Sequence, residues 1–140
     1  MKILIRAVGR MRDRRLAEVC DEYLERARRH LPIDMVEAET DAALLRGLPP
    51  GTEIVALEPG GASWTTDELT KFLAERMLRG TKAVAFLIGG ADGLQPATVG
   101  RAHLRLSLSP LTLPHRLARV ILCEQIYRAL SIVRGEPYNR

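Results

Sequence analysis

Two rhythms of apolar residues alternate along the chain. Lys2 to Val8 is a short run of strand formers broken by Gly9, and the charged stretch from Arg12 to His30 carries Leu16, Val19, Cys20, Tyr23, Leu24 and Ala27 at helical spacing. Asp34 to Glu39 reads as a second strand, Asp41 to Arg46 as a short helix, Leu48 to Gly51 as a turn and Glu53 to Leu57 as a third strand. Beyond Pro59-Gly60-Gly61, Thr65-Thr66-Asp67-Glu68 has the form of a capping box. The helix it opens is expected to reach Arg79 and to end at Gly80. Lys82 to Ile88 is nearly all apolar, as a strand covered on both faces must be, and Gly89-Gly90-Ala91-Asp92-Gly93 follows it. Pro96 to His103 predicts a short helix, Leu104 to Leu108 a strand, Ser109 to His115 a loop, and Leu117 to Arg134 the last helix. Strands alternating with helices predict an α/β fold around a mostly parallel sheet, in one domain spanning residues 1–140.

Composition agrees with a folded chain: 46% of residues are hydrophobic and 27% charged. The longest apolar stretch of the last helix, Val120 to Cys123, is too short to cross a bilayer, and Met1 to Val8 lacks the form of a secretory signal, so a cytoplasmic protein is expected. Cys20 and Cys123 have no neighbours at metal-ligand spacing and read as reduced, buried thiols; no metal site is expected. The net charge is +4, and the last forty residues alone hold seven basic and two acidic groups. Such a surplus fits a surface that meets phosphate, although some of these arginines will simply pair with acids.

In open α/β sheets ligands bind at the carboxyl ends of the strands, which directs attention to the segments after Leu57, Ile88 and Leu108. The glycine-rich turn after Ile88 lets a flat group approach the backbone, but it has neither the P-loop nor the dinucleotide-binding spacing, and alone such a turn is more often just a turn. Leu108 to His115 places three leucines and two prolines in one connection; it is either a stiff wall for a nucleobase pocket or a buried crossover. The last helix is apolar around most of its circumference, more than one sheet face covers, which predicts a second subunit. Within it Glu124 and Arg128 stand four apart, as an intrahelical pair does. His30 and His103 read as surface residues.

Taken together, Leu87 to Gly93, Leu106 to His115, Glu124-Gln125-Ile126-Tyr127-Arg128-Ala129 and Gly135-Glu136-Pro137-Tyr138 resemble, in order and spacing, the ribosomal RNA large subunit methyltransferase H family of the SPOUT class. The resemblance implies an α/β knot with a deep carboxyl-terminal trefoil knot, a departure from the rule that chains avoid knots. It implies a homodimer that binds S-adenosylmethionine and methylates N3 of a pseudouridine in helix 69 of 23S ribosomal RNA on the assembled ribosome. Cofactor contacts then fall on Leu57, Gly90, Pro110, Leu111, Thr112, Leu113, Pro114 and His115. Arg128 or Arg140 is expected to stabilise the developing imide anion and Tyr138 to orient the base, the tail coming from the partner subunit. Asn139 stands where the family usually has histidine, so a base at that position is not carried over. Two rivals stay open: a SPOUT enzyme with another RNA target, and a ribosome-binding factor without turnover.

Overall fold

The computed structural model describes residues 1–138. Its five strands, β1 (Lys2–Val8), β2 (Ile33–Ala38), β3 (Thr52–Ser63), β4 (Ala83–Ile88) and β5 (Leu104–Ser107), form one sheet in the order β2-β1-β4-β3-β5. Every pairing is parallel. All six residues of β4 are buried, which explains why that run has no polar alternation.

Successive side chains of the inner strands point to opposite faces, and the two faces are clothed differently. Ile3, Ile5, Val55, Val84 and Phe86 face α1 (Arg14–Ala27), α2 (Thr66–Leu78) and α4 (His115–Val133). Leu4, Ile54, Ala85 and Leu87 face a smaller cluster built on Leu44, Leu45, Leu48 and Leu94. That second face has only a 3-10 turn at Ala42–Leu45 and the single-turn α3 (Pro96–Val99). The two pieces are tied by the buried Asp41 carboxylate, which accepts from the Gln95 N–H at 3.2 Å and from the Thr98 hydroxyl.

Helix ends follow their local chemistry. The Asp13 carboxylate caps α1 by accepting from the Arg15 and Leu16 N–H groups at 2.9 and 3.3 Å. Thr65 and Glu68 close the expected capping box reciprocally at 3.1 and 2.7 Å. Gly80 takes φ +73° just beyond α2, where a left-handed residue ends a helix.

Three expectations need correction. The third strand, expected over Glu53 to Leu57, runs on through Pro59-Gly60-Gly61 to Ser63. A bulge between Leu57 and Ala62 absorbs the proline, and pairing with β5 resumes at Leu106 and Ser107. The expected helix from Pro96 to His103 stops at Val99, because His103 is drawn into the sheet: its N–H donates to the Ile54 carbonyl at 2.8 Å, and its Nδ1 accepts from the Ile54 N–H at 2.9 Å. His30, expected at the surface, has a side chain only 6% exposed, 3.6 Å from Glu136.

α4 lies against α1 and α2. Leu122, Cys123, Ile126, Tyr127 and Leu130 are thereby buried within the chain, while Leu117 stays 42% exposed and Val120 and Ile121 half-buried. Most of the apolar circumference is thus covered by this chain's own helices. No helix among the described residues is long and apolar enough to cross a membrane.

Candidate active site

Parallel pairing brings the carboxyl ends of β3, β4 and β5 to one edge, where a cleft of about 390 Å³ opens. Leu57, Glu58 and Pro59 form one wall, the Gly89 to Leu94 turn another, and Leu106 to Ser109 with Leu111, Thr112, Leu113 and His115 the third. Of the eight residues expected at a cofactor, Leu57, Gly90, Leu111, Thr112, Leu113 and His115 line it. Pro110 and Pro114 do not line it; both are exposed, and Pro114 instead stands at the cap position of α4, its carbonyl accepting from the Ala118 N–H at 2.9 Å. The prolines therefore shape the wall without forming it.

The glycine turn folds back on itself, the Gly93 N–H donating to the Gly90 carbonyl at 3.0 Å, with Gly93 at φ +78°. A Cβ on Gly89 would lie 2.3 Å from the Gly93 carbonyl carbon, so only glycine permits this return. A Cβ on Gly90 would meet only Val8, at 3.4 Å. The third wall is held by a serine pair: the Ser107 hydroxyl donates to the Ser109 carbonyl and the Leu111 N–H to the Ser109 hydroxyl, both at 2.9 Å. Burial, helped by Arg116 and Arg119, holds the His115 imidazole below its ordinary pKa, so it enters the cleft neutral at physiological pH. A larger groove of about 670 Å³ lies beside α3 and β5 and shares Glu58 and Leu94 with the cleft, but Leu57, Leu106, Leu111 and Leu113 do not line it.

Arg128 and Tyr138 are brought together, but not with this cleft. Arg128 pairs with Glu124 at 2.9 Å, the Tyr138 hydroxyl donates to the same carboxylate at 2.9 Å, and the Arg128 guanidinium sits over the Tyr138 ring, 4.8 Å from its centroid. Tyr138 also packs on Tyr127 at 4.6 Å between centroids. Burial and the Glu124 carboxylate push the Tyr138 phenol up to about 12. Thirteen residues of helix separate Arg128 from His115, about 20 Å at the standard rise. Arg140 and Asn139 lie outside the described residues.

One group the sequence reading passed over is Arg119, 1% exposed, which reaches from α4 to the Glu37 carboxylate on β2 and to the Gly9 carbonyl at 3.0 Å. Its signal was an arginine on the inner, apolar stripe of the last helix, flanked by Leu122 and Cys123. Cys20 and Cys123 are both free and buried.

Residues 1–139 match the family model described as "Predicted SPOUT methyltransferase". The chain is 43% identical to the ribosomal RNA large subunit methyltransferase H of Sorangium cellulosum, over 99% of both chains. The chain belongs to this family of SPOUT methyltransferases. Its counterpart in Gemmatimonas aurantiaca is 37% identical over the whole of both chains. Among solved structures, a probable methylase family protein of Haemophilus influenzae superposes with a TM-score of 0.56 at 12% identity, covering 99% of this chain and 70% of that one; at that identity the likeness concerns the fold. The strand-end cleft is built from segments that carry the sequence resemblance, Leu87 to Gly93 and Leu106 to His115.

Proposed function

We propose that this protein transfers a methyl group from S-adenosylmethionine to N3 of a pseudouridine in helix 69 of 23S ribosomal RNA, on the assembled ribosome and in the cytoplasm. The carrying observation is the cleft between the Gly89 to Gly93 turn and the Leu111 to His115 wall. Its volume falls in the range of small-molecule sites, its leucines suit an adenine face, and the glycine turn leaves the backbone accessible. Leu57, Gly90, Leu111, Thr112, Leu113 and His115 would hold the cofactor, with Pro110 and Pro114 stiffening the loop. When bound, S-adenosylmethionine supplies an electrophilic methyl on a sulfonium centre.

The remaining task of the chain is to position the base and favour loss of its N3 proton. A cation suits that purpose, and Arg128 keeps guanidinium donors beyond those spent on Glu124. Tyr138, held protonated, offers a ring on which a base can stack. Because Arg128, with Tyr138 against it, stands about 20 Å along α4 from His115, the reading includes a homodimer in which the partner subunit's tail, Arg140 included, completes each cleft. It also includes the deep carboxyl-terminal trefoil knot that the family resemblance implies.

The test is transfer of labelled methyl to ribosomes from a strain lacking the homologous enzyme, with the product nucleoside located by mass spectrometry. Label on N3 of the helix 69 pseudouridine is the expected result. Cofactor binding without label on that nucleoside refutes this target and points to another RNA or to a binding role.

A further inference from the structure

Arg10, Arg12, Arg14 and Arg15 fall within six residues that span the loop after β1 and the first turn of α1, with Asp13 the one acid among them. All four are exposed, and the side chains of Arg14 and Arg15 are each 92% exposed. Their partners are weak: Arg14 lies 3.4 Å from the exposed Glu18, and Arg15 lies 3.8 Å from an Asp13 oxygen already committed to capping α1. Among the described residues Arg10 and Arg12 form no ion pair.

Folding gives no reason for this cluster. Cations in the first turn of a helix oppose its dipole, and α2 shows the favourable choice, with Asp67 and Glu68 at the same place. The basic surplus of the last forty residues is a different case, because much of it is engaged internally. Arg105 pairs with Glu58, Arg119 with Glu37 and Arg128 with Glu124, and Arg134 donates to the His30 carbonyl.

The cluster also borders the active-site cleft. In a parallel sheet the loop after β1 emerges at the same edge as those after β3, β4 and β5, and β1 is the direct neighbour of β4. Val8, the last residue of β1, stands against Gly90 in the cleft wall. We propose that Arg10, Arg12, Arg14 and Arg15 form the surface that grips the phosphate backbone of the RNA substrate beside the methylated nucleotide. The inference rests on the RNA-methylating reading above and assigns its docking surface. Solvated guanidiniums held by weak partners or none suit that role, since phosphate contacts position a nucleic acid without reading its sequence. Each contact also releases counterions, so binding here will be strongly salt-dependent.

Two variants test this: all four arginines changed to Gln, and all four changed to Lys. Ribosome binding is followed by co-sedimentation across a salt series, S-adenosylmethionine binding by calorimetry, and methyl transfer by label. The Gln variant is expected to keep its melting temperature and cofactor affinity, to bind ribosomes roughly tenfold or more weakly at low salt, and to lose about three from the slope of log affinity against log salt. The Lys variant is expected to retain most of both. Ribosome binding and slope unchanged in the Gln variant overturn the proposal. So does a loss seen with whole ribosomes but not with deproteinised 23S RNA, which would make the cluster a protein contact. Failure of the wild-type protein to transfer methyl sinks the proposed function instead, and the binding comparison still judges the cluster.

Discussion

Arg119 on α4 and Glu37 on β2 are joined across the fold by an ion pair whose guanidinium is almost wholly buried and whose carboxylate also accepts from the Met11 N–H at 2.7 Å. The pair anchors the amino-terminal half of α4, four residues from His115, to the ends of β1 and β2. Removing one member strands a charge in the interior. Glu37→Gln is therefore expected to lower stability by about 3 kcal/mol, read from urea unfolding. Arg119→Lys is expected not to rescue the fold, because one ammonium does not reproduce a planar fork that serves both Glu37 and the Gly9 carbonyl. Stability equal to wild type in both variants would show the clasp to be idle.

Burial raises the Glu37 carboxyl, but the Met11 N–H and Arg119 outweigh it, leaving its pKa below the ordinary 4.5. A depressed folded-state pKa adds stability that is present above the unfolded value and lost as the pH falls through the folded one. His115, also depressed, acts in the same direction from a higher pH: below its ordinary 6.5 the unfolded chain takes up that proton more readily than the folded one. Below pH 6.5 these two groups predict a stability that declines with acidification in two stages. The lower stage should be missing from Glu37→Gln, and an identical decline in that variant would assign the acid loss elsewhere.

Gly89 and Gly90 should behave differently under the same change. Gly89→Ala drives a methyl to 2.3 Å from the Gly93 backbone and is expected to cost about 1–3 kcal/mol and to abolish cofactor binding by opening the turn. Gly90→Ala meets Val8 at ordinary contact distance, so its melting temperature should match wild type while cofactor affinity falls. Calorimetry with S-adenosylmethionine separates the two. Full affinity in both would move the cofactor out of this cleft.

A shared site in a dimer predicts complementation. Leu113→Asp damages the cleft wall, Arg128→Ala the distant cluster, and each alone should be inactive in methyl transfer. Mixed by co-refolding, the two chains give heterodimers with one intact composite site, and about a quarter of wild-type activity should return for a two-fold symmetric assembly. No recovery in heterodimers of proven composition would place Arg128 and the cleft in service of different tasks.

The sheet was readable because its inner strands are apolar on both faces and each is punctuated by glycine or a helix cap; β4 is the clearest case. The extension of β3 was not, since Pro59-Gly60-Gly61 carries no strand signal. It pairs because a bulge swallows the proline and because Gly61, where a Cβ would sit 2.7 Å from the Arg105 and Leu106 backbone, allows β5 to come close. The cleft walls were legible from strand-end logic alone at Leu57, Gly90 and Leu111 to Leu113. The partnership of Arg119 with Glu37 was not, because it joins residues 82 positions apart and leaves no local periodicity. The distance between the cleft and the Arg128 cluster was equally hidden, since motifs show order along a chain and not separation in space.

The strand order also governs how the molecule comes into being. No ladder in the sheet links residues fewer than thirty positions apart, Ile3 with Ile33 being among the nearest, and β1 meets β4 only through pairs such as Lys2 with Ala83. Loop closure at that range must precede any reward from pairing, which sets a slow folding rate for a chain of this size. On the ribosome, the first strand to leave the exit tunnel waits for more than half of the protein before its second neighbour exists.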